Sequence, residues 1–237
     1  MKIKDSNDYK VLEDVFDTAT LETLYKFANR GIISAMGGAI STGKEANIFH
    51  ALGENGELAV KIYRISTSNF HSMHEYMIGD PRFKKIRKDK KSIVFAWTKK
   101  EFRNLTRASE VGVRVPEPIA AERNILIMEF IGKDGIKAPR LKDVDGLEDP
   151  HSFFRMIVKY MKLLYTKARI VHADLSEFNI LVQDEMPVFI DMGQSVMLDH
   201  PNAEEFLERD VENIVRYFEG FDIRYEKEGI IREVRGI

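Results

Sequence analysis

The chain of 237 residues contains no cysteine. That excludes disulfides, thiolate zinc sites and a cysteine nucleophile, and it suits a cytoplasmic protein. Long hydrophobic runs are also missing: nothing approaches the roughly 18 apolar residues of a membrane span, and the polar start MKIKDSNDYK has no apolar h-region. No membrane partner or export signal is therefore expected. Net charge is small: 36 Lys and Arg against 38 Asp and Glu leave −2. The bulk charge thus gives no reason to expect a DNA partner, and any basic surface must be local. What is present, 44% hydrophobic and 31% charged residues, belongs to a folded globular protein.

Residues 20–30 place Leu21, Leu24, Tyr25 and Ala28 on one stripe before Gly31, which predicts a leading helix. ANIFHAL and ELAVKIY, on either side of Gly53, Asn55 and Gly56, predict an antiparallel hairpin. Residues 65–93 lack periodicity, and Arg82 to Lys91 sets seven bases against the single acid Asp89; this reads as a basic loop or as a binding patch. A helix is expected from Ala96 to about Val111, then two strands in VPEPIAAE and NILIMEFIG. The segment SFFRMIVKYMKLLYTKA is apolar almost all round and predicts a buried helix. NILVQ and PVFIDM predict short strands, and AEEFLERDVENIVRYFEG a helix with Phe206, Leu207, Ile214, Tyr217 and Phe218 inward. The expected organisation is α+β: an N-terminal helical extension over 1–30, a β-rich lobe over 31–131 and a helical lobe over 132–237.

Gly38 to Lys44 has the G-x-x-x-x-G-K spacing of a phosphate-binding loop, but Glu45 stands where the Ser or Thr that holds Mg²⁺ belongs, and strand-like sequence follows instead of a helix. A turn between two strands can still lay its amides over phosphates, and Ser41 and Thr42 sit in it. Lys61, between Val60 and Ile62, faces away from both and fits a phosphate-gripping role that needs a carboxylate partner. Glu101 is the expected partner, with Glu110 second. The strongest signal is His172-Ala-Asp174-Leu-Ser-Glu-Phe-Asn179, with Asp191-Met-Gly193 following at the end of a strand. In that pattern Asp174 orients the acceptor hydroxyl and takes its proton, while Asn179 and Asp191 are oxygen ligands for Mg²⁺. Glu129 and Ile131 fall at a strand end whose backbone can pair with an adenine edge. His71 and His74 could suggest zinc, but two histidines with no thiol in the chain read more simply as loop residues.

Ser41-Thr-Gly-Lys-Glu-Ala46, His172-Ala-Asp-Leu-Ser-Glu-Phe-Asn-Ile-Leu181 and Ile190-Asp-Met-Gly-Gln-Ser-Val196 resemble the first subfamily of the RIO atypical protein kinases, over roughly 34–220. The resemblance implies a bilobal protein-kinase-like fold with a small β-rich N-lobe and a truncated helical C-lobe. It also implies ATP with Mg²⁺ (Mn²⁺ as a substitute), serine autophosphorylation and a partner in the small ribosomal subunit precursor. Members of the family can form an aspartyl-phosphate at the metal-binding aspartate, here Asp191. Only 44 residues follow Gly193, without the A-P-E motif of protein kinases, so a switch that phosphorylates itself or hydrolyses ATP slowly is expected over a broad peptide kinase. Ser66, Thr67, Ser68 and Ser72 are candidate acceptors. A small-molecule phosphotransferase and a non-catalytic ATP-binding scaffold remain alternatives.

Overall fold

The computed structural model describes residues 16–66, 73, 76, 77, 80, 83, 87 and 89–237, so His71, His74, Thr67, Ser68, Ser72 and half of the basic run lie outside the described residues. The chain forms two compact units: 1–72, 86–99 and 118–130 make the first, and 73–85, 100–117 and 131–237 the second. No described helix is long and apolar enough to cross a membrane.

The first unit holds a five-stranded antiparallel sheet, one whole helix and the leading part, 90–99, of a second. Helix α1 (Thr18–Asn29) precedes β1 (Ala35–Thr42), β2 (Ala46–Gly53) and β3 (Gly56–Tyr63), and β4 (Pro118–Glu122) and β5 (Ile125–Glu129) complete the sheet in the order β1-β2-β3-β5-β4. Gly53 pairs with Gly56 across a two-residue turn, and Gly56 has φ 125°, a conformation open to glycine and strained for other residues. Period-2 alternation sends Leu58, Val60 and Ile62 to one face, where Phe49, Ala51, Ile125 and Ile127 join Leu24 and Phe27 of α1 in the core. Lys61 therefore lies on the other face.

The expected face of α1 needs correction. Its buried residues are Thr20, Thr23, Leu24 and Phe27, whereas Leu21 and Tyr25 are exposed. The reason is polar. Asp17 caps the helix by accepting from Thr20 N at 2.8 Å, and buried Asn124 donates to the Thr20 hydroxyl at 3.1 Å and to Tyr63 O at 3.0 Å, which turns the threonine side toward the sheet. Helix α2 (Lys90–Glu110) also starts earlier than Ala96. Asp89, the one acid in the basic run, accepts from Ser92 N at 3.0 Å and from its hydroxyl at 2.7 Å, and these two bonds hold its carboxyl below the usual range. Gly112, at φ 83°, ends the helix as expected.

In the second unit, a short hairpin of β6 (Gly132–Lys133) and β7 (Ile136–Lys137) leads to α3 (Pro150–Leu163), whose last residue runs into a single wide π-helical turn at Leu164–Ala168. Asp149 caps α3 and Pro150 opens it. The helix is amphipathic, not apolar all round: Phe153, Phe154, Ile157, Val158, Tyr160 and Met161 are buried, while Arg155, Lys159 and Lys162 remain in solvent. Long basic side chains at every third or fourth position leave one wet stripe. Strand β8 (Ile170–Val171) pairs with β11 (Val196–Met197), and β9 (Ile180–Gln183) pairs with β10 (Met186–Phe189). These two pairings bring the β8–β9 and β10–β11 loops together. Helix α4 (Ala203–Glu219) buries Leu207, Val211, Ile214 and Phe218, with Phe206 and Tyr217 only half-buried. Helix α5 (Lys227–Arg235), which the sequence pattern did not reveal, buries Ile230, Ile231 and Val234.

Candidate functional site

The β8–β9 loop carries Asp174 and Asn179. Asn179 Nδ2 donates to Asp174 O at 2.8 Å and to Asp174 Oδ2 at 3.0 Å, so the amide is turned with its Oδ1 away from the aspartate. Gln194, from the β10–β11 loop, adds Nε2 to the same Oδ2 at 3.2 Å. One carboxylate oxygen of Asp174 is thus fixed by two amides. The two loops are tied again where Ile190 N donates to Asn179 O at 3.0 Å.

A polar frame from α4 holds the loop. Asp210, buried, accepts from Ala173 N through Oδ2 and from Leu175 N through Oδ1, both at 2.8 Å. Arg209 donates to Ala173 O, and Asn213 Nδ2 donates to Leu175 O at 3.1 Å. Ala173 has φ 67°, and the bonds on both sides of it stabilise that left-handed kink. Burial pushes the Asp210 carboxyl up to about 8, against the pull of its two N–H donors and Arg209 toward the charged form. Both oxygens face donors, which is the arrangement of a carboxylate.

His172 is buried and its Nε2 lies 3.1 Å from Ile190 O, a contact that makes it the N–H donor. Its Nδ1 has no hydrogen-bond partner among the described residues. Burial pushes the imidazole down to about 4, so it is neutral at physiological pH. Asp191 has φ 61° and is exposed at the start of its loop. The Asp191 carboxylate and the Asn179 amide oxygen are hard oxygen donors, the kind that suits Mg²⁺.

The other expected residues divide between the units. In the first, Lys61 is buried, with Nζ 5.0 Å from the Tyr63 ring centroid, and pairs across the sheet with Ile48 and Leu126. Ser41 and Thr42 end β1 opposite Ile48 and Asn47, and the turn after them is closed by Gly43 N donating to Ala46 O at 3.0 Å and to Asn47 Oδ1 at 3.2 Å. Strands on both sides of this turn agree with setting aside a helix-opening phosphate loop. Glu129 ends β5, half-buried. In the second unit, Glu101 is buried on α2 whereas Glu110 is exposed, and Ile131 is buried with its carbonyl accepting from Ala138 N at 3.0 Å. Direct contact joins Asp174 to Asn179.

An aspartate and asparagine five residues apart on a loop between short strands, with an Asp-Met-Gly turn beside it and a five-stranded antiparallel sheet earlier in the chain, define a phosphotransferase of protein-kinase type. The RIO domain family matches residues 47–229. The chain belongs to that family, and within it to the Rio1 group of serine/threonine kinases. It is 49% identical to the RIO-type serine/threonine-protein kinase Rio1 of Haloferax volcanii over 92% of this chain and 75% of that one. Against the Methanocaldococcus jannaschii Rio1 it is 44% identical, covering 89% and 72%. Human RIO1 is 42% identical over 92% of this chain, which spans only 39% of the human protein. Among solved structures, the Rio2 kinase of Chaetomium thermophilum aligns with a TM-score of 0.71 at 27% identity, over 93% of this chain and 69% of that one. The same kinase as an ADP/Mg²⁺-phosphoaspartate complex aligns with a TM-score of 0.68 at 26% identity, over 90% and 65%.

Asp210 and Gln194 were not singled out by sequence reasoning. Gln194 lies inside the quoted Ile190–Val196 motif, and Asp210 is the only acid on the inward face of an otherwise apolar stripe, which was a usable signal.

Proposed function

We propose that the chain is an ATP- and Mg²⁺-dependent serine/threonine kinase that phosphorylates itself, turns ATP over slowly as a switch, and acts in the cytoplasm in maturation of the small ribosomal subunit. The observation that carries the reading is the fixed Asp174 carboxylate, held by Asn179 and Gln194 on a loop pinned by Asp210. Phosphoryl transfer needs an aligned acceptor and positioned charge more than a reactive nucleophile. Asp174 orients the acceptor hydroxyl and takes its proton while the new O–P bond forms and the bond to the ADP oxygen breaks. Asn179 and Asp191 would hold Mg²⁺, and Mn²⁺ suits the same oxygen set. That cation neutralises charge on the phosphate oxygens when bound. Lys61 contributes the protein's cation to the phosphates, with Glu101 to orient it. Ser41, Thr42 and their turn cover the phosphates, and the backbone at Glu129 and Ile131 meets the adenine.

The phosphoaspartate in the Chaetomium thermophilum Rio2 complex favours a second route, in which an Asp191 oxygen attacks the γ-phosphorus, ADP leaves, and water later releases phosphate. The ribosomal partner rests on family resemblance. Ser66, exposed just after β3, is the one described candidate among the four acceptor hydroxyls. The test is incubation with γ-labelled ATP and Mg²⁺ beside Asp174→Asn and Asp191→Asn, following bound label and free phosphate. Acid-stable label lost in both variants supports the autokinase; base-labile label that needs only Asp191 supports the switch. ATP binding with neither product would overturn both and favour a scaffold.

A further inference from the structure

Two fully buried side chains of α2 donate to backbone carbonyls outside the helix, and the catalytic reading leaves both unused. Lys100 Nζ donates to Gly193 O and to Ser195 O, each at 2.6 Å. One turn further on, Asn104 Nδ2 donates to Met192 O at 2.9 Å and to Ser195 O at 3.0 Å. Residues four apart share a helix face, so the two side chains together gather three carbonyls of one short segment. An ammonium taken wholly out of water is retained only when its donors are used, and carbonyl oxygens are its natural partners in a site without water.

The segment they grip sits between two functional groups. Asp191 stands immediately before it, in its left-handed conformation, and Gln194 lies inside it with Nε2 on Asp174 Oδ2. Any change in the path of Met192–Ser195 therefore moves both the carboxylate that would hold Mg²⁺ and the amide that fixes the proton acceptor. Glu101 is the next residue on the same helix, so a shift of α2 along its axis would carry Glu101 and the grip together.

We propose that Lys100 and Asn104 are positioning residues that hold the Met192–Ser195 backbone so that Asp191 and Gln194 stand ready for phosphotransfer. The catalytic half of this inference rests on the kinase reading; the structural half does not.

The test uses the full chain, with hydrogen exchange measured before metal or nucleotide is added, comparing wild type with Lys100→Met, Asn104→Ala and, as a control away from the loops, Arg155→Ala, which removes the pair with Glu233. Hydrogen exchange at the amides of 192–196 should quicken by about tenfold or more in the first two, because buried carbonyls lose their donors, while α3 and α4 keep their protection. In the same variants the Mg²⁺ concentration that half-supports ADP binding by calorimetry should rise, by about tenfold, and Arg155→Ala should change neither quantity. Wild-type exchange in the segment, or exchange that rises equally throughout the second unit, would overturn the proposal. So would a loosened segment with an unchanged Mg²⁺ midpoint, since the grip would then be structural only. If Lys100→Met fails to fold, Asn104→Ala decides alone. Because neither readout needs turnover, a chain that proves not to transfer phosphate would defeat the kinase reading and leave this one to be judged by its own result.

Discussion

The sheet of the first unit and the two site loops of the second are held by different kinds of contact. Val60, Ile62, Ile125 and Ile127 are completely buried in an apolar core, where many weak contacts add up and no single direction matters. The loops at His172–Asn179 and Asp191–Ser195 are instead held by Asp210, Asn213, Lys100 and Asn104, each making directional bonds to backbone atoms. Apolar packing supplies stability and tolerates small shifts; directional bonds fix atoms to the few tenths of an ångström that aligned transfer requires. Substitutions in the two regions should therefore divide differently between stability and rate.

The largest effect should come from Asp210→Ala. It strips the acceptor from two buried N–H groups and frees the left-handed kink at Ala173. Phosphotransfer per folded molecule should fall on the order of a hundredfold, the cost of a misplaced catalytic group. Stability should drop by about 2–4 kcal/mol. Rate assays on a denaturant-titrated stock separate the two, and Asp210→Asn, which keeps one acceptor, should fall between. A variant that lost stability alone would break the comparison.

Ile127→Ala sharpens it from the other side. Truncating a side chain with no exposure should cost about 2–5 kcal/mol by the denaturation midpoint, with the rate per folded molecule close to wild type. Equal losses of rate in both variants would mean that the two regions do not divide the work.

His172 adds a pH dependence. Its folded pKa lies below its unfolded value, so the stability it contributes is complete above about 6.5 and is lost as pH falls toward 4. His172→Phe removes that titration while Asp210 remains in both proteins, so the difference between their stability curves isolates the histidine. The difference should change on the order of 3 kcal/mol across that window. A flat difference would place the imidazole in contact with solvent. The smallest effect belongs to the surface: Arg155→Ala breaks a two-bond pair with Glu233, yet it should cost under about 1 kcal/mol and fade in salt, as half-exposed pairs do.

The β2–β3 hairpin, the apolar side of α4 and the Asp174, Asn179 and Asp191 spacing were legible because each is written in one continuous stretch of chain as alternation, helical period or motif. The face of α1 was not, since Asn124, far along the chain, decides that its threonines turn inward. The start of α2 was hidden in a charge run whose single acid proved to be its cap. Lys100, Asn104 and Asp210 escaped for the same reason. A lone polar residue in a helix reads as surface until the fold brings a loop backbone to it. The Asp174–Asn179 contact itself was recoverable, because both partners sit in one short loop.

The most direct test of the account is single-turnover transfer from γ-labelled ATP with Mg²⁺ by wild type, Asp174→Asn and Asp210→Ala, with nucleotide binding measured on the same samples. The account predicts that all three bind ATP, that Asp174→Asn gives no acid-stable label, and that Asp210→Ala labels itself far more slowly than wild type. Acid-stable labelling at the wild-type rate in Asp174→Asn would contradict it, because the carboxylate that the loops and α4 hold in place would then have no part in the reaction.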